Sequence, residues 1–231
     1  MSTTAFATNI FDSLSANERK NELVTFLKDL KNECGTLSTA QVVIILGQWF
    51  HPLHYFPNFL SRLISVSPEI ETQTYVSRIL WEELGEGDPR RAHENVYIET
   101  ISDGGFAKEQ VGGAPPLNAT RRLVEGYEQA STNWLSGLGF LYGTEVVDLP
   151  MVATIGELMR RCTGKQNLPW VNIHVSQEPG HVDSANATLE PAFTGEEQRE
   201  IVKQAEQMWT LWIDFFRNIR SEILNTKSTK A

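Results

Sequence analysis

Two cysteines, Cys34 and Cys162, are all that this chain of 231 residues contains, and neither belongs to a Cys-x-x-Cys pair. A disulfide framework is thereby excluded, and two reduced, mostly buried thiols are the expectation. Positive charge is also scarce, with 20 Lys and Arg against 29 Asp and Glu for a net charge of -9. Nucleic acid and anionic membrane surfaces both demand clustered basic side chains, so neither is expected as a partner. The chain does not open on a basic segment followed by an apolar one, and no uninterrupted apolar run approaches the roughly 18 residues of a spanning helix. A soluble, cytoplasmic protein is therefore expected. Internal repeats and low-complexity tracts are absent, and one domain over residues 1–231 accounts for the length and the 41% hydrophobic content.

Period-two alternation is missing beyond four residues, whereas apolar residues recur at helical spacing through most of the sequence, so the fold class is all-α. Pro and Gly punctuation suggests about seven helices. The segments expected to be helical are 16–33, 38–65, 68–84, 89–101, 120–147, 149–162, 169–186 and 194–225. Pro52 and Pro57 are expected to kink or divide the second of these, and 104–116 is expected to be a loop. Ser67 and Asp88 read as N-caps ahead of Pro68 and Pro89. Residues from Lys227 onward are expected to fray.

Function enters through ionisable residues on stripes that helical periodicity reserves for the core. Glu83 follows Val76, Ile79 and Leu80 by seven, four and three residues, so it faces inward, with Glu82 the less favoured neighbour. His93 shares a stripe with Val96, Tyr97 and Ile101. Glu145 follows Trp134, Leu138, Leu141 and Tyr142 at the same spacings. In His174-Val-Ser-Gln-Glu178-Pro-Gly-His181, a helix brings two imidazoles and a carboxylate to one face within about 10 Å. That mixture of nitrogen and oxygen donors suits a first-row transition metal better than magnesium or calcium. Taken singly, an inward histidine is most simply a hydrogen-bonded core residue. Taken together, three buried carboxylates cost several kcal/mol each unless cations or protons compensate them. His51 and His54 are most simply partners of helix-end carbonyls. Tyr97, Trp134 and Tyr142 are placed either to line a cavity or to pack a core.

The run from Trp81 through Glu82-Glu83-Leu-Gly-Glu-Gly-Asp-Pro to His93, the element Tyr142-Gly-Thr-Glu145, and His174-x-x-x-Glu178-x-x-His181 together resemble the heme-oxygenase-like dimetal oxidases, the group that contains the CADD-like proteins. The resemblance covers nearly the whole chain. It implies a seven-helix bundle like heme oxygenase, TenA and PqqC, without heme. It implies a site of Glu83, His93, Glu145, His174, Glu178 and His181 holding two non-heme iron ions, with manganese the next choice of metal, and O2 as cosubstrate for oxidising a small molecule such as an amino acid or a fatty acid. A homodimer is common for the fold. Glu83, His93 and Glu145 are expected to dominate one ion and His174, Glu178 and His181 the other, with one Glu bridging. Three carboxylates against four positive charges leave about one positive charge, which would draw a substrate carboxylate. Two departures stand out: Glu178 occupies a position where the family often has Asp, and Pro179-Gly180 interrupts the His-rich element, predicting a kink or an unwound turn. The competing readings are a metal-free TenA-like enzyme and a non-catalytic interaction protein of the same fold.

Overall fold

The computed structural model describes residues 9–33 and 37–228, and among these it contains helices and no strand. Cys34 and residues 229–231 lie outside that range, so the buried-thiol expectation is met only by Cys162, which is half-buried against the core.

Ten α-helices are present among the described residues rather than about seven: α1 (Ile10–Ser15), α2 (Glu18–Glu33), α3 (Thr39–Val66), α4 (Ile70–Glu83), α5 (His93–Asp103), α6 (Lys108–Gly112), α7 (Asn118–Ala130), α8 (Trp134–Thr163), α9 (Pro169–Ala187) and α10 (Gly195–Ser228). The excess comes from the short α1 and α6, the latter inside the segment expected to be a loop, and from a break in the segment expected to run unbroken from 120 to 147. That break falls at Ser131–Asn133, where the Asn133 side chain accepts from the backbone N–H groups of Leu135 at 3.0 Å and Ser136 at 3.2 Å and so caps α8. Helix α8 then runs through Pro150, where two helices were expected.

Prolines interrupt less than expected elsewhere too. Helix α3 carries Pro52 and Pro57 without dividing, and α9 carries Pro179 without unwinding. Pro179 leaves the Val175 carbonyl without its helical donor, at a residue that is 56% exposed and so open to solvent. Ser67 closes α3 by donating its hydroxyl to the Leu63 carbonyl at 2.7 Å instead of opening α4. Asp88 does cap, yet what it caps is a single 3-10 turn over Pro89–Arg91 ahead of α5.

Helix α8 lies at the centre and packs against α2, α3, α9 and α10. By length and composition it is apolar enough to cross a membrane, but 72% of its most apolar window is buried inside the bundle, as befits a core helix. Its contact with α10 depends on Gly139, where a Cβ would meet the Ile201 carbonyl oxygen at 2.5 Å. Trp209 on α10 donates its indole N–H to the Gly143 carbonyl at 2.8 Å, which fixes α8 two residues before Glu145. Around the middle of the bundle, Trp49 stacks on Trp212 at 5.5 Å and meets Trp170 edge-on at 5.9 Å. Of these rings, Trp49 and Trp212 form one wall of a cavity bounded by α3, α4, α7, α8, α9 and α10.

Candidate metal centre

The turn between α4 and α5 brings the first two site residues together. Gly85 at φ 85° and Gly87 at φ 89° flank Glu86, itself left-handed at φ 55°. A Cβ on Gly85 would collide with the Asp88 carbonyl oxygen and the Ala92 amide nitrogen, so only glycine lets the chain fold back this tightly. An ion pair between Arg91 and Glu86 closes the turn on its outer side. Its effect is to set Glu83, the last residue of α4, against His93, the first of α5, with Glu83 Oε2 3.0 Å from His93 Nδ1.

The other four residues arrive from two helices. Glu145 comes from α8, while His174, Glu178 and His181 share the inner face of α9 at the spacing of successive turns. All six side chains are buried, none exceeding 6% exposure. His93 and His174 pack with ring centroids 4.5 Å apart. His181 Nδ1 lies 3.5 Å from Glu145 Oε2, 3.8 Å from Glu83 Oε1 and 3.9 Å from Glu178 Oε2. The grouping therefore differs from the expected one: Glu145 belongs with Glu178 and His181, whose donor atoms all fall within 4.8 Å of one another, and His174 stands beside His93.

Two of the imidazoles are hydrogen-bonded at one ring nitrogen, and the third lies beside a carboxylate. His93 Nε2 donates to the Gln177 side-chain carbonyl at 2.7 Å, and His174 Nδ1 to the Trp170 backbone carbonyl at 2.8 Å. His181 Nε2 lies 3.1 Å from Glu82 Oε2. In all three rings the opposite nitrogen is left for the interior. An acceptor on the outer nitrogen that sets the tautomer is the usual support of a metal-bound histidine. Glu145 Oε1, Glu178 Oε1 and Asp148 Oδ2 are buried without a hydrogen-bond partner, which is the situation a cation relieves.

Electrostatics agree with that need. Burial alone would push Glu83 up, but the adjoining His93, with His181 and His174, brings it down to about 2. Burial, with the neighbouring His93, drives His174 down to about 3, leaving a neutral imidazole. His181 resists burial because the Glu145 carboxylate, with Glu83 and Glu82, lifts it to about 9. Glu178 is pushed far above the carboxylate range by burial and by Asp148 and Glu145; Asp148 rises to about 7 for the same kind of reason, burial and then Glu145. Too many acidic oxygens share one dry space for all to ionise alone.

Asp148, Gln177 and the contact of Glu82 with His181 were not anticipated. Asp148 lies three residues beyond Glu145 on the same face of α8, so the periodicity that points to Glu145 points to it as well. His51 and His54 stay outside: His51 Nε2 meets the Ala114 carbonyl at 2.8 Å, and His54 Nδ1 meets Glu94 at 2.8 Å. Nor do Tyr97, Trp134 and Tyr142 line the cavity; Tyr97 donates to the Leu46 carbonyl and Trp134 packs on Phe193. The apolar lining is Trp49, Pro52, Leu53, Phe56, Tyr127 and Trp212, and no lysine or arginine reaches it.

Known proteins share this architecture. A CADD-like protein from Nostoc punctiforme superposes with a TM-score of 0.74 at 15% identity, covering 93% of this chain and 95% of that one. A TenA homolog from Pseudomonas syringae pv. tomato superposes with a TM-score of 0.69 at 12% identity, covering 92% and 91%. In sequence the chain is similar to the 4-chloro-allylglycine synthase of Streptantibioticus cattleyicolor, 26% identical over 154 residues. That alignment takes in 64% of this chain and spans 57% of the length of the synthase. The profile of a family described as iron-containing redox enzymes matches residues 44–213, a span that includes all six buried donors and both residues on either side of the central aromatic stack. This chain belongs to that family of iron-containing redox enzymes.

Proposed function

We propose that the chain is a non-heme, O2-dependent oxidase or oxygenase of a small organic molecule, with two iron ions held by Glu83, His93, His174, Glu145, Glu178 and His181. Glu83, His93 and His174 would serve one ion, and Glu145, Glu178 and His181 the other. The observation that carries this reading is the set of three buried imidazoles, His93 and His174 each hydrogen-bonded at one nitrogen and His181 beside Glu82, gathered with Glu83 and with Glu145 and Glu178, each of which keeps a buried oxygen that lacks any protein partner. Iron bound there would supply O2 activation and electron transfer, which side chains do not provide.

The protein's own contribution is placement and exclusion of water. Gln177 and the Trp170 carbonyl hold the rings of His93 and His174 in orientation, and the Glu82 carboxylate lies 3.1 Å from His181 Nε2. Trp49, Phe56, Tyr127 and Trp212 give the cavity an apolar wall suited to the hydrocarbon part of a substrate. Tyr127 donates its phenol to Thr144 Oγ1 at 2.7 Å, and Thr144 donates in turn to the Phe140 carbonyl at 2.9 Å, whereas the buried indole N–H groups of Trp49 and Trp212 have no protein acceptor. The likeness to the TenA homolog is one of fold alone, and it is the donor set rather than the fold that favours iron here.

Protein loaded anaerobically with Fe(II) is expected to consume O2 on mixing, faster when an amino acid or fatty acid it accepts is present, and to stop when iron is chelated. A metal-free protein that transforms a substrate with undiminished rate in chelator would replace this reading with a TenA-like one.

A further inference from the structure

We infer that Asp148 is a seventh metal-binding residue, sharing with Glu145, Glu178 and His181 the ion on that side of the cavity. The inference rests on the iron-site reading above and extends it to a residue outside the six.

Asp148 sits one helical turn beyond Glu145 on α8, and both side chains line the cavity. Its Oδ2 is fully buried and unpartnered, as are Glu145 Oε1 and Glu178 Oε1 on side chains that are each 2% exposed. Asp148 on α8 and Glu178 on α9 line the same cavity, each with a buried oxygen that no protein group satisfies. Two carboxyl groups do not pack together in a dry space unless a proton or a cation lies between them. No lysine or arginine lines the cavity to play that part. Asp148 thus shares the cavity with the three residues whose donor atoms lie within 4.8 Å of one another, and its own unpartnered oxygen is open to an ion there.

Charge balance changes with it. Glu83, Glu145, Asp148 and Glu178 give four carboxylates lining the cavity, equal to the four positive charges of two divalent ions. The residual positive charge expected from three carboxylates disappears. The loaded site then exerts no net pull on a substrate carboxylate, and the apolar wall carries more of the recognition.

The test is anaerobic titration of wild type, Asp148→Asn and Asp148→Glu with Co(II), following both stoichiometry and the visible ligand-field bands. Wild type is expected to bind about two ions per chain. Asp148→Asn is expected to keep the ion near Glu83, His93 and His174 while weakening the other by about 10- to 100-fold, with a change in its ligand-field bands. Asp148→Glu is expected to recover part of that affinity. Two ions bound by Asp148→Asn with wild-type affinity and spectrum would overturn the role of Asp148 alone, whereas a wild type that binds none would overturn the iron site itself. Should Asp148→Asn fail to fold, anomalous diffraction from wild-type crystals loaded with Mn(II) decides: an Asp148 oxygen about 2.2 Å from an ion supports the assignment, and a gap beyond hydrogen-bond distance ends it.

Discussion

Gln177 accepts the Nε2 proton of His93 across 2.7 Å, and this bond leaves the Nδ1 edge of the ring turned to Glu83 Oε2, 3.0 Å away. The two residues lie 84 positions apart, on α9 and α5, so the bond also ties the short α5 to the helix that bears three of the other donors.

Replacing Gln177 with leucine removes that acceptor and leaves the ring free to turn. The iron nearest His93 is expected to be held about 10- to 100-fold more weakly, while far-UV circular dichroism is unchanged. Metal titration of Gln177→Leu beside wild type checks this, and equal affinities would mean that the orientation of His93 is set by packing alone.

Gly85 permits the sharp return between Glu83 and His93. Gly85→Ala places a Cβ against the Asp88 carbonyl and Ala92 nitrogen at a φ of 85°, where L-residues are disfavoured. A loss of about 1–3 kcal/mol in stability is expected, together with iron binding reduced to about one ion, since the turn must open and part the pair. Chemical denaturation and an iron assay on the same sample measure both effects. A full iron complement with reduced stability would show that the pair survives an altered turn.

Without metal, stability should fall as pH rises from 7 to 9. His181 has its folded value raised to about 9 against 6.5 ordinarily, so the stability it contributes is complete below 6.5 and is lost as pH climbs through 9. Glu178, raised by burial and by Asp148, prefers its neutral form in the fold and acts in the same direction. His174, lowered to about 3, is already neutral in both states over this window and does not oppose them. Thermal melts of chelator-treated protein at pH 7, 8 and 9 are expected to show a steady drop. A Tm that stays level would indicate that these groups are solvated in the metal-free protein.

How far the site can be read from the sequence depends on whether a residue announces itself within its own helix. Glu83, His93 and Glu145 each fall on a stripe of apolar neighbours that turns them inward, while His174, Glu178 and His181 announce themselves by their mutual spacing of four and three residues on one helix face. Asp148 was legible by the same rule, three residues past Glu145, and was passed over. Gln177 carries no such mark, because its importance lies wholly in a partner on another helix. The pairing of Trp49 with Trp212 is equally invisible, since nothing within α3 or α10 says which ring meets which. For the fold, the all-helical class and the kinship with CADD-like proteins were readable, whereas helix limits were misjudged where proline was given too much weight. Pro150 and Pro179 sit inside continuous helices, and the break that does occur, before Trp134, is made by the Asn133 cap.

Metal itself should stabilise the protein, because the donors are buried together only in the folded state. Fe(II) or Mn(II) at 100 times its dissociation constant is expected to add about 2.7 kcal/mol, which corresponds to a rise in Tm of several degrees for a domain of this size. Differential scanning calorimetry with and without metal under anaerobic conditions reads the shift. No shift at saturating metal would mean that the buried carboxylates remain protonated and unliganded.

The most direct trial of the whole account is the iron content of the folded chain, measured by native mass spectrometry after anaerobic loading with Fe(II) and removal of excess. The account predicts a dominant species carrying two iron ions per chain, reduced to one or none when Glu145 is replaced by glutamine. A dominant species without iron, or one whose iron content is indifferent to Glu145, would contradict it.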